Sequence, residues 1–568
     1  MKSKPSTNLK PTNPIVPPSL KLTSSPIPSG FKINKRTIVS NDFKPRAKKL
    51  MADSSPNSTT DNDTLITSTE EFKFLYKLFV PNKYLIKNNK MSLNHLLTHL
   101  PLIIPSTYDN KKDYSPLNLQ IHLFLSTIMV KYVNSWYLTK LNTDNYDVLQ
   151  LIYQVLMEFV RNFSSRVNKV IKSEVTLFNL VDEISVAINT HILDLVNDNN
   201  RYDLKIFDEY YMNANLKNSF AYDPHKDLQT IIEDYLENSH IIFERNTDPL
   251  TYFRILVKNI LEVIYSNDSP VNPLSSTIIT NLTITIVSDL VLSIIFEKLS
   301  SPNFILNDVI GNIVDLVIDS IDARTASNKQ VKAKQDTTTY YDKVQFYITA
   351  AYTRLSRLIV STKSVEPKST SKDTQVDIFG SSVFQLVNTI GNLSARKPLV
   401  SSIISIVVQS LQLNSWIYNK VNSIFSAYVM KKLIQSPILG EQSLSGLISS
   451  LRLNIFYKES TEEQAPSSPD SYTTIDQLTE KIYDLIKNKI PQSFANPIIS
   501  PRYSFFGLVG ENDQDLKVRI RRMLVIFNYN ASAAYDNNNN INSTCDLNKL
   551  LIVNILDTIV RNLYPELT

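Results

Sequence analysis

The chain has 568 residues, 59 Lys/Arg against 54 Asp/Glu, one cysteine and only eight glycines. Average usage would place roughly 40 glycines in such a length, so folds built on Gly-rich turns or phosphate loops are excluded, and neither G-x-G-x-x-G nor G-x-x-x-x-G-K-[ST] occurs. A lone Cys545 rules out a disulfide framework or a Cys-based zinc site within the chain and suits a reducing, cytosol-facing setting.

Charge is uneven along the chain. Residues 1–50 hold eleven Lys/Arg and one acid, Asp42, a net of +10, while the whole chain is +5, so residues 51–568 carry −5. Residues 1–70, rich in Pro, Ser, Thr, Asn and Lys, read as a disordered basic tail. Its first 30 residues hold no apolar core of a secretory signal. Lys44, Arg46, Lys48 and Lys49 are its densest cluster and the membrane-contact candidates. Near an anionic membrane surface each adds about 1 kcal/mol; a solvated tail without a ligand is the alternative. Nucleic acid is not expected as a partner, because the rest of the chain is acidic and shows no extended basic surface.

A globular region opens near Phe72, followed by a loop broken by Pro101, Pro105 and Pro116. Ile121, Phe124, Leu125, Ile128, Met129, Tyr132, Val133 and Trp136 then keep i, i+3, i+4 spacing and predict a helix over 117–138. The same period predicts helices over 146–169, 174–196, 227–238, 249–265, 273–299 and 303–320. Residues 321–375 read as a linker or insertion with one short helical piece, 340–358. Helical periodicity returns over 399–413, 416–432, 444–453, 474–489, 514–528 and 547–563, interrupted by disordered loops at about 458–472 and 534–545. Strand-like alternation is nowhere sustained, so the fold class is all-α.

Thr277 to Phe296 is the most apolar stretch, broken by Asn281 and Asp289. An Asp near the middle of a span costs about 3 kcal/mol to insert, so the stretch reads as a buried core helix. It and the 399–413 helix are apolar on more than one face. Lining an apolar groove is the other use of such helices, with Ile279, Ile286, Leu290, Ile294, Ile403, Val407 and Leu411 as the groove candidates. Burial in a core without a cavity is the equal alternative.

No residue set supports catalysis or metal binding. His95 and His99 share an i, i+4 spacing but have no intervening Glu and no third ligand. His191, on the apolar face of its helix, reads as a hydrogen-bonded core histidine. Gly440 to Gly446 is not a nucleophile elbow, since no strand precedes it. No cofactor is implied. Trp136 and Trp416, the two tryptophans, read as core anchors, with a lipid groove or membrane interface as the other use of an amphipathic ring.

Several segments together resemble a known family. Leu117-Asn118 with Val133-Asn134-Ser135-Trp136-Tyr137 is similar to the opening of the PX-associated (PXA) domain. Glu158-Phe159, Val181-Asp182 and His191-Ile192 keep the family's order. Asp248 to Arg254 with Leu261, and Ser300 to Ile305, resemble its later helices, for a likeness over 117–312. Lys397 to Val400, Ser415-Trp416-Ile417, and Ile555-Leu556-Asp557 with Leu563 to Leu567 resemble the sorting-nexin C-terminal domain, although Tyr418-Asn419-Lys420 stands where that family is more basic. Neither a PX nor an RGS domain lies between, a domain set like that of a short fungal member at the nucleus–vacuole junction.

The resemblance implies a PXA domain over 72–320 packed with a helical sorting-nexin C-terminal domain over 376–568, with Trp136, Tyr137, His191 and Trp416 as fold anchors. It also implies a non-enzymatic lipid-binding or lipid-transfer protein that holds acyl chains in a groove between the two regions. Its place would be peripheral, on the cytoplasmic face of endoplasmic reticulum–vacuole contact sites. The partners implied are a fatty acid or phospholipid, an anionic membrane surface and a larger PX-containing family member. A trafficking scaffold or tether without bound lipid is the competing expectation.

Overall fold

Apolar residues spaced at 3.6-residue intervals fold here as helices whose starts are set by local capping. A computed structural model describes residues 69–81, 91–104, 115–134, 137, 146–198, 202–213, 217–219, 222–245, 247–265, 272–328, 377–396, 398–434, 440–457, 470–489, 514–529 and 543–567. The basic tail with Lys44, Arg46, Lys48 and Lys49, the 340–358 piece and Trp136 lie outside the described residues.

The first helices are α1 (Glu70–Phe79), α2 (Leu93–His99) and α3 (Pro116–Ile128), the last running on into a π-helical turn, Met129–Asn134. Thr69 caps α1 by accepting the Phe72 N–H at 3.3 Å. Ser115 caps α3, with Pro116 in the first turn where a missing N–H costs nothing. Then come α4 (Asp147–Lys172), α5 (Glu174–Leu195), α6 (Lys205–Met212), α7 (Leu228–Ser239) and α8 (Pro249–Ile264). α9 (Thr277–Leu299) is π-helical over Ile286–Leu292, and α10 (Asn312–Asn328) follows another π-helical run, Phe304–Gly311. α2 and α6 fall in stretches read from sequence as loops; both are too short for a full apolar stripe to show.

The C-terminal helices are α11 (Ser382–Gly391), α12 (Leu393–Arg396), α13 (Pro398–Gln412), α14 (Ser415–Ile434), α15 (Glu441–Phe456), α16 (Asp470–Asp484), α17 (Gln514–Val525) and α18 (Ser543–Leu563). α11 ends on Asn392 at φ 44°, a left-handed cap that Asn tolerates better than other non-glycines. Among the described residues no strand forms; one antiparallel bridge links Val196 and Leu204. The fold is all-α.

All described residues fall within one compact unit, Asp63–Thr568. Its two main apolar cores each draw on both ends of the chain. The first gathers Phe72, Leu75, Met129, Val133, Tyr153 and Val257, with Phe456 of α15 inserted among them. The second gathers Leu195, Phe207, Ile232, Phe253 and Phe296 around Ile475, Leu524, Leu547 and Val553 of the C-terminal helices.

α18 carries most of the polar joinery. Asn548 is fully buried and donates at 3.0 Å to the carbonyls of both Ser300 and Phe527. Asp557 accepts from the Tyr252 hydroxyl and, at 3.0 Å, from His240 Nε2. His240 Nδ1 accepts the Ile242 N–H at 3.1 Å, which leaves Nε2 as the proton-bearing nitrogen that serves Asp557. Asn562 donates to Glu183 at 2.8 Å. Past the helix end, Arg166 of α4 donates to the Leu563 carbonyl at 2.8 Å, pairs with Glu566 at 3.0 Å and stacks 4.4 Å above the Tyr564 ring. The buried Arg519 of α17 pairs with Asp198 at 2.7 Å and donates to the Thr389 carbonyl at 3.0 Å.

Two histidines sit in the cores, and the hydrogen-bonded role expected of His191 falls to His122. His191 is buried and stacks on Phe527 at 5.9 Å, but neither ring nitrogen finds a hydrogen-bond partner. The satisfied core histidine is His122, where Nε2 donates to the Pro101 carbonyl at 2.8 Å. Its Nδ1 is thereby left to accept from Tyr153 OH at 2.7 Å. Burial pushes both imidazoles down to about 4 from an ordinary 6.5, the Pro101 bond opposing the shift at His122.

The sign of the pH effect follows. An unfolded chain takes up these protons near pH 6.5 and the folded chain refuses them until about pH 4. Their contribution to stability is intact above pH 6.5 and lost as pH falls through 4. His191→Phe is expected to raise stability at pH 5, and to remove roughly half of the acid-induced loss between pH 6.5 and 4, because it keeps the stacking and deletes the unpartnered nitrogens. Urea midpoints as a function of pH measure both effects; a destabilised variant with wild-type pH dependence would contradict the assignment. Asn548→Leu strands two buried carbonyls and is expected to cost roughly 2–4 kcal/mol in the same assay.

Candidate functional site

α9 is where the apolar content of the chain exceeds what the fold encloses. It is long and apolar enough to cross a membrane by length and composition, yet only 22 % of its most apolar window is buried. This corrects the expectation of a buried core helix. Ile286 and Val287 are enclosed. Leu282, Ile284, Leu290, Val291, Ile294 and Ile295 stand half-buried at the edge of the first core. Ile279 is half-buried one turn nearer the start of the helix.

The Asp expected to disrupt this helix is neutralised. Arg254 of α8 reaches Asp289 with Nε at 3.0 Å, and with its second nitrogen forms a forked pair. The guanidinium holds the carboxyl below the usual range, with the hydrogen bond from Ser288 also lowering it and desolvation opposing. The Ser288 hydroxyl also bonds back to the Ile284 carbonyl at 2.7 Å, inside the π-helical widening.

α15 is the C-terminal element that shares this edge. It is pinned to α3 at both ends: Ser115 donates to Glu441 at its start, and Lys131 donates to the Phe456 carbonyl at its finish. Lys131 also lies 4.2 Å above the Tyr457 ring, and Phe456 packs edge-on against Phe124 at 5.6 Å. Between the pins, Leu444, Ile448 and Leu451 fall on one stripe at i, i+4, i+7 and stand half-buried against the first core, as α9 does. Arg452 lies one turn past Ile448. Its Nε is buried without a hydrogen-bond partner, and burial lowers the guanidinium's pKa against the opposing pull of Glu71. The half-buried flanks of α9 and α15 thus both lie against the first core, and Arg452 is on the second of these helices.

The sequence-derived candidates divide in two. Ile286, Leu290 and Ile294 meet at the first core, and Tyr137 is buried in it. Ile403 and Val407 of α13 do not join them; they are 44 % and 51 % exposed, and Leu411 is half-buried. No described residue of α13 belongs to an apolar core. α13 is the more apolar of the two in sequence, but α15 has the Glu441 and Phe456 contacts that tie it to α3. Trp416 is 66 % exposed and anchors no core, contrary to expectation. The Leu444-Ile448-Leu451 stripe was the available signal for the C-terminal helix that packs on the same core as α9. Among the described residues no group of three or more His, Cys, Asp or Glu is placed to hold a metal.

No curated protein and no solved structure matches the chain. Residues 114–313, about a third of the chain and spanning α3 to the first turn of α10, match the PXA domain family, so this chain carries a PXA domain, a module that suggests a role in PX-associated trafficking.

Proposed function

We propose that this chain is a non-enzymatic lipid-binding protein of membrane trafficking, which holds an acyl chain in the trough between α9 of the PXA domain and α15. The observation that carries the reading is the apolar flank of α9. Leu282, Leu290, Ile294 and Ile295 are too apolar to be left to water and too open to be core, and the half-buried stripe of α15 packs against the same core. Apolar side chains left half-covered in this way stabilise a bound hydrocarbon at about 25 cal/mol per Å² removed from water. Arg452, with a buried nitrogen free to donate, suits the carboxylate or phosphate of a fatty acid or phospholipid.

The C-terminal helices take the part of a sorting-nexin C-terminal domain in this reading, and the basic tail meets an anionic membrane. The site of action is the cytoplasmic face of endoplasmic reticulum–vacuole contacts, with a larger PX-containing protein as partner. Support for this placement comes from the PXA domain and the residue resemblances at the C-terminus.

Solvent extraction and mass spectrometry of the purified full-length protein test the function. An acyl lipid is expected at near-stoichiometric level. Ile448→Trp, which fills the trough without adding charge, is expected to lower occupancy about tenfold while leaving the melting temperature within a few degrees. Arg452→Met should shift the retained species away from anionic lipids. Protein that carries no lipid and moves none between vesicles would leave the scaffold role in its place.

A further inference from the structure

A helix–turn–helix corner in the C-terminal half is used by neither main core. Leu413 and Asn414 alone join α13 to α14. Leu413 is 90 % exposed, and Trp416 and Ile417 beside it are exposed too. Ile403, Ile406 and Val407 continue the apolar surface along the same stripe of α13 as Leu413. The corner is held firmly from behind. Asn414 caps α14 by accepting the Ile417 N–H at 3.3 Å. Tyr418 donates to Asp377, and Phe379 packs on Tyr418 at 6.1 Å and on Phe425 at 5.4 Å. Large apolar side chains are therefore presented to solvent on an ordered support.

Charge selects the partner. From Ile378 to Gly440 the chain has no Asp or Glu, but it has Arg396, Lys397, Lys420, Lys431 and Lys432. Lys420 sits one turn behind the corner with its ammonium 5.1 Å from the Trp416 ring centroid. A second copy would bring the same corner, where these cations outnumber Asp377, the acid that Tyr418 engages, and so oppose like charge to like. An exposed indole and leucine backed by a lysine long enough to reach phosphate match the boundary of an anionic bilayer, where indole and extended lysine are both favoured.

We propose that the α13–α14 corner inserts shallowly into an anionic lipid bilayer, with Leu413, Trp416 and Ile417 at the acyl boundary and Lys420 at the level of the phosphates. This surface is distinct from the α9–α15 trough and works whether or not the trough holds lipid. It fixes the orientation of the folded body on the membrane, which a basic tail alone does not.

The full chain with Trp136→Phe keeps Trp416 as its one indole. On vesicles of phosphatidylcholine with about 30 mol % phosphatidylserine and brominated acyl chains, Trp416 emission should shift to the blue and be quenched. In the wild-type background, Leu413→Ser with Ile417→Ser should lower vesicle co-sedimentation at least about tenfold with an unchanged circular dichroism melt, since both side chains are exposed. The same loss should appear when Lys44, Arg46, Lys48 and Lys49 are all changed to Gln. Bound protein with unquenched Trp416, co-sedimentation indifferent to the double substitution, or a solution dimer that shields Trp416 would each overturn the proposal.

Discussion

The rest of this structure depends on the docking of α18 into the PXA helices. Asp557 is the centre of that contact. Its carboxylate is drawn partly out of water, where it needs two donors to be tolerated, and it receives them from Tyr252 and His240. Burial and the hydrogen bond to Asp557 together raise the Tyr252 pKa far above its ordinary value, which keeps the hydroxyl a donor. Asn548 at one end of α18 and Arg166 with Glu566 at the other complete the joint. α18 and the residues that follow it are thereby made a structural part of the N-terminal half.

That joint explains how α9 can be half-open. Phe296, near its end, is locked into the second core beside Phe253, while Ile286 and Val287 are locked into the first. Arg254 removes the penalty of Asp289. With its middle, its C-terminal end and Asp289 accounted for, α9 is held in place by its neighbours, and its remaining half-buried apolar flank forms one wall of the proposed trough, with α15 as the other. α15 in turn is positioned by its pins to α3, so the two walls are set by different parts of the fold.

Much of this was legible from residues alone. Ile152, Val155, Leu156 and Phe159 keep the period of a helix, and α4 forms where that period predicts it. The PXA likeness drawn from Trp136-Tyr137 through Ser300 to Ile305 agrees with the family match over residues 114–313. Partnering was not legible. An apolar helix reads the same whether its neighbour is a core, a lipid or water, so the more apolar α13 is the natural candidate, whereas the contacts of Glu441 and Phe456 with the α3 region tie α15 to the first core. Trp416 reads as an anchor by composition and stands exposed by geometry. His191 and His122 both lie on apolar faces; only the approach of Pro101 and Tyr153, distant in sequence, decides which is satisfied. The π-helical turns have no sequence periodicity to announce them.

The central claim is that the PXA helices and the C-terminal helix form one cooperative body. Hydrogen exchange on the full chain with Asp557→Ala tests it most directly. If the claim holds, amides of α8 and α18 lose protection together, each by about tenfold or more, because one opening exposes both. Faster exchange confined to α18, with α8 protected as in the unsubstituted chain, would contradict it.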